Sequence, residues 1–298
     1  MSDSLVHLRR KINTAGDLQS VVRTMKAMAA SSITQYERSV LALHDYYRTV
    51  ELGLSACFRK EIANATARPY PAPPESEITS AIVFGSDPGL VGQFNDVIAD
   101  HAIKTLSAFP GKVRIWAVGE RVHARLVDSG LQPKGLFQVP NSVKDIAPLI
   151  GQIQIQSVAQ RIEDHSTSVY VFHNRPKPGS LYDPVDQRLL PLDTQWQQSL
   201  VMLPWPSKKL PDVLGSGLVT LQSLIHEYLF IALFRACAES LASENASRLA
   251  AMPPCSEPTR TLTNCWKLYT PPSIVSDRAV STRNCSMLSQ GLKPSPFK

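Results

Sequence analysis

The chain is poor in the features that mark the commoner function classes. Its five cysteines (57, 237, 255, 265, 285) form no C-x-x-C pair and no metal-binding box, a usage that fits a reducing compartment rather than a disulfide framework. No run of about 18 uncharged apolar residues occurs, so no bilayer-spanning helix is expected. Met1-Ser2-Asp3-Ser4 lacks the basic-then-apolar opening of a secretory signal. There is no G-x-S-x-G elbow and no dinucleotide or Walker glycine spacing. The seven histidines never pair at i, i+4 around a carboxylate, so the zinc-protease pattern is missing. With 43% hydrophobic and 19% charged residues the chain can nevertheless build a core. The net charge of +6 fits nucleic acid or an acidic protein partner equally well.

What is present divides into segments. Between residues 3 and 60 there is no proline, and apolar residues recur at Leu5, Leu8, Ile12, Ala15, Leu18, Val22, Met25, Ala29, Ile33, Tyr36, Val40, Leu43, Tyr47, Val50 and Leu54. Steps of three and four predict one long helix carrying a heptad seam. About 55 residues at 1.5 Å each give roughly 80 Å of helix, which cannot bury its seam alone. Arg68-Pro69-Tyr70-Pro71-Ala72-Pro73-Pro74 predicts a stiff linker. From 76 to 210, β-branched runs at Ile78–Phe84, Lys112–Val118, Ser168–Phe172 and Gln187–Leu192 alternate with helical patterns at Phe94–Leu106, Arg121–Val127 and Val143–Ile162. That alternation predicts a mostly parallel α/β sheet covered on both faces. Gly217 to Met252 has a helical apolar period and supplies the partner helix. The expected fold class is therefore α/β: a long antiparallel coiled coil of N- and C-terminal helices with an inserted Rossmann-like domain. Its expected parts are residues 1–67 (first helix), 76–210 (α/β foot), 211–252 (second helix) and 253–298 (an aberrant tail).

Two motifs carry chemical alternatives. Gly85-Ser-Asp-Pro-Gly-Leu-Val-Gly92 follows a strand and precedes a helix, where phosphate loops sit in α/β folds. The plainer reading is a tight turn and helix start. His173-Asn174-Arg175-Pro176 closes a strand, either as catalytic residues or as a structural turn. Arg9, Arg10, Lys11, Arg23 and Lys26 cluster on the first helix. They form a solvated coiled-coil face or meet an acidic partner. Nucleic acid is disfavoured because no aromatic platform interleaves with them.

Three stretches, in order, resemble the gamma subunit of F-type ATP synthases. Leu8-Arg9-Arg10-Lys11-Ile12 with Val22-Arg23-Thr24-Met25-Lys26-Ala27-Met28-Ala29-Ala30 is similar to that family's opening helix. Ser86-Asp87-Pro88-Gly89-Leu90-Val91-Gly92-Gln93-Phe94-Asn95 is similar to its S-D-R-G-L-C-G motif, with Pro88 and Val91 in place of arginine and cysteine. Glu239 to Met252 resembles its near-terminal serine-glutamate signature. The stretch His173–Leu192 resembles the alternative, often sodium-linked branch of the family.

The resemblance implies a central rotor stalk with no catalytic residues, cofactor or metal of its own. It implies alpha and beta subunits as a surrounding ring, an epsilon subunit and a membrane c-ring at the foot, and no direct insertion into the bilayer. Arg10, Arg23, Met25 and Lys26 are the expected partner-contacting residues, with Met25 and Lys26 near acidic loops of beta. The expected location is peripheral, on the cytoplasmic face of a bacterial plasma membrane. A nucleotide-binding α/β enzyme and a coiled-coil adaptor are the alternatives.

Residues 253–298 fit none of this. They hold seven prolines, three cysteines and only two acidic residues, and show no period. Pro253-Pro254 ends the second helix, which in the family runs on to the chain end. Back-translation from the third base of each codon gives forced Leu-Leu-Glu across Asn264-Cys265-Trp266-Lys267 and permits Asp-Glu before it. A further leucine is forced at Asn284-Cys285, and the surrounding codons permit Glu-Glu-Leu-Phe-Asp-Val-Ile-Ser-Gly-Phe-Glu-Ala-Leu. This hidden amphipathic helix resembles the family's C-terminus, so the tail is expected to be frameshifted. A shaft shortened in that way would leave the first half of the N-terminal helix without its partner.

Overall fold

The computed structural model describes residues 2–63, 78–87, 89–109, 111–164, 168–177, 180–205, 207, 209 and 217–252. The expected linker at 68–74, Pro88, the start of the third segment at 211–216 and the whole 253–298 tail lie outside the described residues. By packing, the chain divides into two units, residues 1–25 with 253–298, and residues 26–252. In the first, Leu18 and Met25 are exposed on the helix.

The second unit holds the sheet. In chain order the elements are α1 (Ser2–Ala63), β1 (Ile78–Phe84), α2 (Phe94–Ser107), β2 (Lys112–Val118), α3 (Glu120–Asp128), β3 (Gly135–Phe137), α4 (Val143–Asp164), β4 (Ser168–Lys177), β5 (Ser180–Leu190), α5 (Thr194–Met202) and α6 (Gly217–Ala251). The strand order is β3-β2-β1-β4-β5. The first four strands are parallel and β5 returns antiparallel to β4. The parallel strands are nearly continuous apolar runs because both faces are covered. On one face Ala81, Val83, Ile115 and Phe172 meet Ile98 and Ala102 of α2 and Val122 and Leu126 of α3. On the other, Ile82, Phe84, Trp116 and Val171 meet Ile146 and Ile150 of α4 and Leu233 and Leu241 of α6.

The short edge strand β3 and the helix α5 were not expected from the sequence. Three residues of β3 are too few to show an alternation. β4 and β5 also run longer than expected, because Arg175 to Lys177 and Ser180 to Asp183 extend a hairpin beyond the covered part of the sheet.

Within this unit α1 and α6 run antiparallel. The Tyr46 hydroxyl donates to Glu227 Oε2 at 2.6 Å, and the Tyr47 and Tyr228 rings lie 6.2 Å apart. The seam positions Ala29, Tyr36, Val50 and Leu54 are buried, as the heptad steps predict. Val50, Leu54 and Phe58 pack with Leu221, Tyr228 and Ile231, and Leu200 of α5 closes that cluster. Arg59 fixes α5 there: its Nε donates to the Val201 carbonyl at 2.8 Å and its Nη2 to that of Leu203. By length and composition α6 is apolar enough to cross a membrane, with a mean hydropathy of 1.5 over 18 residues. The helix nevertheless buries Ile231, Leu233, Leu241 and Ala242 in the core against the sheet.

Candidate functional site

Open α/β sheets bind ligands outside the carboxyl ends of their strands, at the point where strand order reverses. Here that point lies between β1 and β4, since β2 and β3 are laid down on one side of β1 and β4 on the other. The two motifs singled out in the sequence meet there. Residues 85–92 leave the end of β1, and His173-Asn174-Arg175 lie just past the last residues of β4 that pair with β1.

The loop satisfies itself. Ser86 N donates to Asn95 Oδ1 at 2.9 Å, and Asn95 Nδ2 donates back to Ser86 Oγ at 2.9 Å. The Asp87 carboxylate accepts from the backbone N–H of Glu120 at 3.0 Å and of Val139 at 3.2 Å. It therefore occupies the N-terminus of α3, where a phosphate would gain most from the unpaired N–H groups. A Cβ added at Gly85 would lie 2.4 Å from Val122 Cβ, so backbone and helix are in closest approach. The tight-turn reading of Gly85–Gly92 describes this loop. At the start of α2, the helix this loop precedes, Phe94 N donates to the Val91 carbonyl at 3.3 Å and Val97 N to that of Gln93 at 3.0 Å, so the turn runs straight into the helix.

The crevice itself is filled by α6. The buried Glu239 carboxylate accepts from His173 Nε2 at 2.9 Å and Arg175 Nε at 2.9 Å through Oε2, and from Arg235 Nε at 2.7 Å through Oε1. Ser243 Oγ donates to the Asn174 carbonyl at 2.9 Å, and Ser247 Oγ donates to the Val91 carbonyl. Asn174 Nδ2 donates to the Phe94 carbonyl at 3.0 Å. Burial alone would raise the Glu239 carboxyl, but the bonds from His173, Arg235 and Arg175 outweigh it and hold the group at about 2. Burial lowers His173, against the pull of Glu239, and keeps the ring neutral with its Nε2–H donating. His173 thus ties a helix to a strand through Nε2, while its Nδ1 is buried without a hydrogen-bond partner among the described residues.

A second buried carboxylate has the opposite character. Glu244 is pushed up to about 7, by burial first; Arg248 one turn on opposes the rise and Asp87 adds to it. Among the described residues no group of three or more His, Cys, Asp or Glu is placed to hold a metal ion. Cys57 and Cys237 are both buried. Of the four residues expected to contact partners, Arg10, Arg23 and Met25 are exposed on α1 and Lys26 is half-buried. Sequence reasoning missed Glu239 and Ser243 as crevice residues. The available signal was a polar stripe at four-residue spacing in an otherwise apolar helix.

The geometry defines a class: a doubly wound domain whose switch-point crevice is filled by a long helix of its own chain. Comparison with known proteins identifies the family. A family model described as ATP synthase matches residues 4–268. An ATP synthase gamma chain of Salinibacter ruber is 26% identical over 272 residues, covering 84% of this chain and 85% of the relative. One from Dechloromonas aromatica is 23% identical, covering 88% and 90%. The fold is similar to a chain in the Tetrahymena thermophila mitochondrial ATP synthase central stalk and c-ring structure, with a TM-score of 0.55, 20% identity and coverage of 78% of this chain and 97% of that one. It is also similar to a chain of the Euglena gracilis mitochondrial ATP synthase rotor, with a TM-score of 0.53, 13% identity and coverage of 97% and 99%. The chain belongs to the ATP synthase family as a gamma, central-stalk subunit. Neither the nucleotide-enzyme nor the adaptor alternative is favoured.

Proposed function

We propose that this gamma chain couples ion flow through a membrane ring to ATP synthesis and hydrolysis on beta subunits by rotating inside a ring of alpha and beta subunits. Epsilon and the c-ring engage its α/β foot, and the complex sits on the cytoplasmic face of a bacterial plasma membrane. The observation that carries the reading is α6: one helix is both half of the antiparallel pair with α1 and the occupant of the foot's crevice. Torque applied to the foot therefore reaches the shaft through buried, charged hydrogen bonds. Exposed small residues at Ala27 and Ala30 suit a shaft that must not bind one ring position too tightly, while Ala29 between them is buried. Arg10, Arg23, Met25 and Lys26 are the contacts offered to the ring, the last two toward acidic loops of beta.

Residues 253–298 belong to a shifted reading frame. Support comes from the forced Leu-Leu-Glu of the alternative frame, while the family match, which runs on to residue 268, argues against a shift as early as Pro253. Sequencing the coding DNA and its transcript across codons 245–298 tests this, and the same unshifted frame in both overturns it. Co-expression with the alpha, beta and epsilon subunits of the same source tests the role. Co-purification with ATP hydrolysis is expected, and a chain that never joins alpha and beta overturns the reading.

A further inference from the structure

Glu239, Ser243 and Ser247 stand four residues apart, on one stripe of α6, and each bonds into the crevice between β1 and β4. A helix that needed only burial would carry apolar residues there, since polar groups inside are costly unless paired. The three bonds are directional, whereas the apolar contacts around them tolerate sliding. Glu239 is the anchor. Two of its donors, His173 and Arg175, come from β4 and the third, Arg235, from its own helix.

We propose that Glu239 is a positioning residue that fixes the rotation of α6 about its own axis on the foot domain, so that torque passes between sheet and helix without slip. The proposal rests on the central-stalk reading above. Arg175 and Arg235 cover the solvent side of the carboxylate and His173 its buried side. The carboxyl stays ionised across the working pH range, held at about 2. The clamp is therefore not loosened by ordinary changes of pH.

The test compares the wild-type full chain with E239A, E239Q and the double variant R175A/R235A. Hydrogen exchange is measured on the purified chain. ATP hydrolysis and ATP-driven ion pumping are measured in the same vesicles containing the assembled complex. In E239A the amides of 239–247 should exchange about tenfold faster or more, as loss of charge-assisted bonds implies. β1 and β2 should stay protected. The ratio of pumping to hydrolysis should fall about twofold or more, with the KM for ATP unchanged. E239Q, which keeps size and loses charge, should be intermediate. R175A/R235A should move the same way, and it opens no cavity because both arginine side chains are well exposed. If E239A loses protection throughout the sheet, it has unfolded and R175A/R235A decides. An unchanged pumping-to-hydrolysis ratio in the folded variants overturns the proposal. If the wild-type chain fails to assemble, the central-stalk reading falls instead, and unchanged exchange at 239–247 in the folded variants then overturns Glu239 as the anchor.

Discussion

Asp87, two residues past the Gly85 turn, caps α3 by accepting the backbone N–H of Glu120 at 3.0 Å while its other oxygen accepts that of Val139 at 3.2 Å. One carboxylate thus joins three segments: the turn after β1, the start of α3 and the loop after β3. Asp87→Ala should cost about 1–2 kcal/mol, the usual scale for a lost helix cap with a second orphaned donor. Asp87→Asn, which keeps one acceptor oxygen, should lose less. Urea unfolding followed by circular dichroism measures both, and equal stability of Asp87→Ala and wild type would show that the cap is dispensable.

Gly119 is the second structural constraint at this loop. Its φ is +108°, and an added Cβ would lie 2.7 Å from the carbonyl oxygen of Ser86. Both the left-handed backbone and the backbone contact oppose any side chain. Gly119→Ala should destabilise by about 2 kcal/mol or more, on the scale of forcing a strained backbone conformation. Thermal melting checks this against Gly151→Ala, where no atom lies within 4 Å of the new Cβ.

The two buried glutamates give stability opposite pH dependences. Glu244 rises from 4.5 to about 7 on folding, through burial first and Asp87 second, against Arg248. Tyr36 of α1 and Cys237 of α6 also feel its charge. A group raised on folding contributes most below its unfolded value and loses that contribution as pH rises through its folded value. Stability should therefore fall between about pH 5 and 8, by on the order of 3 kcal/mol from this group. Glu244→Gln should flatten that window. Glu239, lowered to about 2, does the reverse, and its contribution is lost as pH falls below about 4.5 toward 2. Denaturant midpoints from pH 4 to 9 for wild type and Glu244→Gln decide the matter, and parallel curves would refute the assignment.

The α1–α6 pair depends on a few fully buried side chains. Leu54 is 0% exposed and packs among Leu221, Tyr228 and Leu200. Leu54→Ala should cost about 2–5 kcal/mol, through lost burial and the cavity left behind. Leu41→Ala, exposed on the same helix, should cost well under 1 kcal/mol. A comparable loss at both positions would mean that helix propensity, not the seam, sets the stability of the pair.

Local pattern carried much of this protein. The steps of three and four from Ala29 to Leu54 fix a helix and its buried edge, because a 3.6-residue period leaves one stripe to hide. The runs Ile78–Phe84 and Lys112–Val118 fix strands to the residue, because strands covered on both faces are apolar throughout. The same pattern placed residues 85–92 at a strand end; it also ended β4 at Phe172, whereas 173–175 lie inside that strand, paired with β5. It did not say what fills the crevice between β1 and β4. Glu239 lies 66 residues from His173 and 64 from Arg175, and no local rule couples positions so far apart. Packing of α6 against β4 brings them together, and only then does one of the helix's three glutamates become a buried carboxylate with three donors. β3 and α5 escaped for a related reason: each is short, and tertiary contacts rather than an intrinsic period hold it in place. The sequence determined which segments are stiff and which faces they hide. The tertiary structure decided that the crevice of the sheet is closed by the chain itself, because only packing can place a helix where a ligand would otherwise bind.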